Sequence, residues 1–154
     1  MKKVNLVFGT VYGGAQYVAE TLQQALIDLG REAVLYQSDE LVGFVPPQDE
    51  LLLLVCSTTG QGDLPDDIQT WFYDMQSKAP YLPELRFGVI GLGDSSYDTF
   101  CGAAEQLAAL FEELGAKRLG DFLKIDAGET MEPEVEALAW LPSWNELIDK
   151  DLAA

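Results

Sequence analysis

The chain has 154 residues, 48% of them hydrophobic, with 9 Lys+Arg against 26 Asp+Glu for a net charge of −17, and it contains no histidine. The length suits one domain with a full core, and the acidity argues against nucleic acid and against an anionic membrane surface as partners. The missing histidine removes Ser-His-Asp and Cys-His catalysis and His-ligated metals together.

Met1-Lys2-Lys3 carries the charge of a signal peptide, but the apolar run Val4–Phe8 behind it is shorter than an h-region of about 7–15 residues. No apolar run approaches the roughly 20 residues of a membrane span. A cytoplasmic protein is the expectation. Cys56 and Cys101 are too few for a disulfide framework and read as buried free thiols.

In chain order, Val4-Asn5-Leu6-Val7-Phe8 reads as a buried strand that stops at Gly9. Apolar residues then recur at helical spacing through Tyr17, Val18, Leu22, Ala25, Leu26 and Leu29, with Gly30 as the C-cap. Ala33–Tyr36 is a short second strand, and Ser38–Pro47 reads as a loop or short turn. Leu51–Ser57, LLLLVCS, is a continuous apolar run, the mark of a strand covered on both faces. Pro65 lies near a helix start, and Ile68–Ser77 continues as helix. A turn at Ala79–Pro83 leads to a fourth strand, Phe87–Ile90. Ala103–Leu114 is an amphipathic helix stopped by Gly115, Arg118–Ile125 a fifth strand, and Glu134–Ile148 a final helix that Pro142 either kinks or splits. Trp71, Trp140 and Trp144 lie on helices, where core packing is the expectation; Phe72, Met75 and Phe111 read as core as well.

Strands alternating with helices predict a parallel sheet wound on both faces, with ligands beyond the C-terminal strand ends. Three loops occupy such places: Gly9–Ala15, Ser57–Asp63 and Gly91–Cys101. All three carry glycines and hydroxyls, and none contains Lys or Arg. An anion bound there must be held by backbone N–H groups and hydroxyls. The first loop joins a strand, a glycine turn and a helix N-terminus, whose unpaired amides and dipole favour negative charge. It matches neither G-x-x-x-x-G-K-[ST] nor G-x-G-x-x-G, and from this loop alone a turn with no ligand is an equal reading.

On these residues the chain resembles the short-chain flavodoxins, most closely the small bacterial flavodoxins of the MioC and YqcA type, over nearly its whole length. Gly9-Thr10-Val11-Tyr12-Gly13-Gly14-Ala15 stands where the family has its FMN phosphate loop, commonly S-x-T-G-x-T. Ser57-Thr58-Thr59-Gly60-Gln61-Gly62-Asp63 matches the second flavin loop. Gly91-Leu92-Gly93-Asp94-Ser95-Ser96-Tyr97-Asp98-Thr99-Phe100-Cys101 matches the third and resembles that of the sulfite reductase flavoprotein subunit. The resemblance implies a single flavodoxin-like α/β domain over residues 1–154, a doubly wound five-stranded parallel sheet in the order 2-1-3-4-5 within three layers. It implies noncovalent FMN and one-electron transfer. The implied binding set is Thr10, Val11, Tyr12, Gly13, Gly14 and Ala15; then Ser57, Thr58, Thr59, Gly60, Gly62 and Asp63; then Leu92, Gly93, Asp94, Ser95, Ser96, Tyr97, Asp98, Thr99, Phe100 and Cys101.

Tyr12 and Ala15 replace hydroxyl residues of the usual phosphate loop, which leaves side-chain help mainly to Thr10. Thr59 stands where many flavodoxins carry a ring-stacking aromatic, so aliphatic or backbone atoms are expected on that face. Tyr97 is the stacking candidate, Asp94 an anchor for its own loop through nearby turn amides, and Asp126 a residue at the right edge to approach the site. By resemblance the Gly60-Gln61 peptide lies beside the flavin N5. Asp63, Asp66, Asp67, Asp94 and Asp98 form an acidic rim. No nicotinamide site is legible, so electrons are expected from a separate basic-surfaced, NADPH-dependent flavodoxin or ferredoxin reductase, passing to an unnamed acceptor, with the protein a monomer. A phosphoacceptor receiver domain would need an acidic pair where Gly9-Thr10 stands and an Asp near Cys56-Ser57. A hydrolase lacks a base. The serious rival is a flavodoxin-like binding module with weak or lost FMN binding, and a self-contained flavoenzyme such as a quinone reductase is the third reading.

Overall fold

The computed structural model describes residues 2–58, 62–96 and 99–153. Its elements alternate: β1 (Val4–Gly9), α1 (Gly14–Asp28), β2 (Ala33–Tyr36), a 3-10 turn at Ser38–Leu41, β3 (Leu51–Ser57), α2 (Asp66–Lys78), β4 (Arg86–Gly93), α3 (Gly102–Glu113), β5 (Lys117–Arg118), β6 (Leu123–Asp126) and α4 (Pro133–Ala153). All pairings are parallel, in the order β2-β1-β3-β4-β5, with β6 also on β4.

The period-2 geometry of a strand sorts side chains onto two faces. In β3, Leu52, Leu54 and Cys56 enter one core layer and Leu51, Leu53 and Val55 the other. The first layer is closed by α2 and α3 through Ile68, Trp71, Phe72, Met75, Leu107 and Phe111. The second is closed by α1 and α4 through Val18, Leu22, Leu26, Leu141, Trp144 and Ile148. This is the expected three-layer arrangement. Trp71, Phe72, Met75, Phe111 and Trp144 are core residues as expected, with Trp140 partly buried and stacked on Trp144.

One reading needs correction. The fifth strand is not continuous over Arg118–Ile125: it pairs with β4 at Lys117–Arg118 and again at Leu123–Asp126, and Gly120 breaks it at φ 76°. Of the two alternatives at Pro142 the helix is not split, since the proline lies inside α4. It stands on the exposed face, while Leu141, Trp144 and Ile148 anchor the helix on both sides of it.

The strand registers set up the site. Gly9 lies opposite Cys56, Ser57 opposite Leu92, and Gly93 opposite Asp126. Four strands therefore end at one level, and the loops that leave them converge. Because β1 has β2 on one side and β3 on the other, the strand order reverses there and a crevice opens at the C-terminal edge.

Candidate flavin-binding site

The crevice is a cavity of about 790 Å³. Of the residues expected at the site, Val11, Tyr12, Gly14, Ser57, Thr58, Leu92, Gly93, Asp94, Thr99, Phe100 and Cys101 line it. Thr59, Gly60, Tyr97 and Asp98, and with them the stacking reading of Tyr97 and the N5 reading of Gly60, lie outside the described residues.

At the first loop, Gly13 takes φ 90° and caps α1. Its amide donates to Thr10 Oγ1 at 2.9 Å, which closes the turn and leaves the hydroxyl proton of Thr10 free to point elsewhere. The amides of Gly14, Ala15 and Gln16 open the helix without intrahelical acceptors. The Thr10 amide is not available to a ligand, because both oxygens of the Asp67 carboxylate accept it at 3.0 and 3.1 Å. Burial pushes the Asp67 carboxyl above its ordinary range, and the Thr10 hydrogen bond opposes that rise. Ala15 is fully buried in the layer beneath α1, so a hydroxyl there would face apolar atoms, and Tyr12 is 98% exposed. Neither departure from the usual loop removes a backbone amide from the cradle.

The second and third loops interlock. Thr58 N–H donates to the Leu92 carbonyl at 3.1 Å, and its hydroxyl accepts the Ala103 amide at 3.1 Å. Gln106 Nε2 donates to the Gly62 carbonyl at 2.7 Å. Gly62 sits behind the cavity against Thr99, and Asp63 is exposed. Asp94 anchors its own turn as expected: its Oδ1 accepts the Ser96 amide at 2.9 Å and the Ser96 hydroxyl at 2.6 Å.

Asp126 does more than approach the edge. It accepts the Ser95 amide at 3.1 Å, the Ser95 hydroxyl in a short contact, and the Gly128 amide at 2.9 Å. Those donors, the Ser95 hydroxyl foremost, hold its carboxyl below the ordinary range. This one side chain ties the third loop to a fourth, the segment between β6 and α4. That fourth loop was not among the expected site segments, yet Ile125, Ala127, Thr130, Met131 and Pro133 line the cavity. The available signal was an Asp ending a strand two residues before a glycine.

Cys56 and Cys101 are buried free thiols. Burial pushes Cys101 up to about 11 and raises Cys56 further. Burial therefore disfavours the reactive thiolate form of both. Among the described residues no helix is long and apolar enough to cross a membrane, and no group of acidic or sulfur side chains is placed to hold a metal.

The flavodoxin family model matches residues 6–140. The chain belongs to the flavodoxin family. It is 43% identical over 148 residues to flavodoxin YqcA of Escherichia coli, covering 96% of this chain and 99% of the relative. It is 38% identical over 148 residues to protein MioC of the same organism, again over 96% and 99%. In three dimensions it matches a Cys-to-Ser variant of a flavodoxin from Pseudomonas aeruginosa at a TM-score of 0.86 and 42% identity, over 96% of this chain and 99% of that one. Flavodoxins bind FMN and transfer electrons, and they are a standard case of the switch-point rule, with FMN at the crevice between β1 and β3.

The residues of this flavodoxin fit that group. The slot is largely apolar, from Leu92, Phe100, Ile125, Met131 and Pro133, as a flat aromatic ring requires. The loop that supplies Val11, Tyr12 and Gly14 to the lining also carries the Thr10 hydroxyl and the N-terminal amides of α1, groups suited to an anion. No Lys or Arg is among the described lining residues, and Lys124 is ion-paired with Glu105 at 2.6 Å. The fit is to a phosphate held by dipoles rather than by cations.

Proposed function

We propose that this flavodoxin is a low-potential, one-electron carrier that receives electrons from a basic-surfaced, NADPH-dependent reductase and delivers them to a separate acceptor. FMN, when bound, supplies the redox chemistry. The chain's own residues bind and orient it: Thr10 and the amides that open α1 hold the phosphate, Thr58 and Gly62 set the second loop, and Asp94, Ser95 and Ser96 set the third. The observation that carries this reading is the convergence of four loops, one of them opening the N-terminus of α1, on one largely apolar cavity.

The net charge of −17 favours a basic donor, since opposite charges steer encounter and fix register. Stopped-flow reduction of the FMN-loaded protein by purified NADPH-dependent reductases tests this. The rate with the cognate reductase is expected to fall as ionic strength rises, because screening shortens the reach of the acidic surface. A rate flat from low to high salt would remove the electrostatic part of the proposal. Absence of reduction by every such reductase would remove the donor assignment.

A further inference from the structure

β1 gives way to the phosphate loop at Gly9, and α2 packs directly on that point. A Cβ on Gly9 would stand 2.7 Å from Ile68 Cγ2 and 3.1 Å from Cys56 Sγ, so glycine is what lets the first turn of α2 come this close. The approach delivers Asp67 to the loop, where its carboxylate takes the Thr10 amide. From the other side Ser38 holds the same turn, its hydroxyl donating to the Asp67 carbonyl at 2.8 Å. A cradle that presents N–H groups to an anion therefore has its first amide occupied by an anion of the protein itself. No cation among the described lining residues offsets that charge.

We propose that Asp67 is a positioning residue that sets the selectivity of this site for flavin with a phosphate over flavin without one. The inference rests on the FMN reading above and deepens it. Asp67 has two separable effects. Its hydrogen bond fixes the start of the loop, and a neutral amide oxygen at the same place accepts the same N–H. Its charge acts only on a ligand that carries a phosphate, and it opposes that phosphate across one turn of the loop. The surroundings already disfavour the charge: the carboxylate is partly buried, with Asp66 beside it on α2. Phosphate capture is thereby held below what the bare cradle would give.

The test is titration of apoprotein with FMN and with riboflavin, in the parent, Asp67→Asn and Asp67→Ser, with far-UV circular dichroism confirming the fold. Asn keeps the acceptor and removes the charge; Ser removes the charge with a shorter side chain. The ratio of riboflavin to FMN dissociation constants is expected to rise about five- to tenfold in each folded variant. For Asp67→Asn the change should appear in the FMN constant, with riboflavin unmoved. A purely structural role would weaken both flavins together and leave the ratio alone. A ratio unchanged in either folded variant, while the parent binds FMN, overturns this proposal only. A parent that binds neither flavin overturns the FMN reading and this inference with it.

Discussion

Gly62→Ala is the substitution whose cost can be worked most fully from the geometry. Gly62 holds φ 81°, a left-handed conformation that costs a residue with a Cβ about 1–2 kcal/mol. The new Cβ would also stand 2.9 Å from Thr99 Cβ and 3.2 Å from Thr99 Cγ2. Forcing one carbon into such a contact costs about 1–3 kcal/mol. Together the two terms predict a loss of about 2–4 kcal/mol, and for a chain of this size a fall in apoprotein Tm of roughly 5–15 °C. Chemical denaturation of the parent, Gly62→Ala, Thr99→Gly and the double variant separates the terms. Thr99→Gly should recover the contact term in the double variant and leave the φ term of about 1–2 kcal/mol. A loss below about 0.5 kcal/mol for Gly62→Ala, or no coupling between the two positions, would refute the interlock of the second and third loops.

Thr10→Ala removes a hydroxyl that closes the Gly13 turn and can donate to a phosphate; at about 1.5–3 kcal/mol for a bond to a charged group, FMN affinity should fall roughly 10- to 150-fold by fluorescence titration. Asp126 has its carboxyl held low in the folded protein, so its contribution is fully present above the ordinary carboxylate pKa of about 4 and is lost as pH falls through the lower, folded value. Denaturation midpoints measured from about pH 6 down to about pH 3 should drop more steeply for the parent than for Asp126→Asn, and parallel profiles would dismiss the clamp as a stabilising feature. Asp94→Asn removes one negative charge from the cavity wall; at about 10 Å and an effective dielectric of about 40, worth about 0.8 kcal/mol, it should raise the more negative couple of the bound flavin by about 35 mV in a potentiometric titration.

Much of the fold is legible because its strands are buried on both faces. LLLLVCS has no alternation to hide, and its residues divide between the two core layers as a doubly covered strand must. The fifth strand is harder, since Arg118–Ile125 has strand composition throughout and only Gly120-Asp121 hints at the break. The reach of α4 past Pro142 depends on that residue falling on the solvent face, which is fixed by how Leu141 and Trp144 pack and not by the proline. At the site, glycines and hydroxyls announce three loops. The fourth, Ala127–Glu132, carries no comparable signature and is recruited by register: Gly93 pairs with Asp126, whose carboxylate then gathers Ser95 and Gly128. The Asp67–Thr10 contact spans 57 positions and depends on α2 packing against Gly9, a tertiary fact that no local pattern expresses.

Whether the crevice holds FMN by its phosphate and ring together is tested most directly by one equilibrium measurement. Apoprotein, shown to be folded by circular dichroism, is titrated with FMN while flavin fluorescence is followed. The expected result is saturable quenching at one FMN per chain, weakened when Gly13→Val blocks the approach of the phosphate to the loop. Folded apoprotein that leaves FMN fluorescence unchanged at excess protein would contradict it.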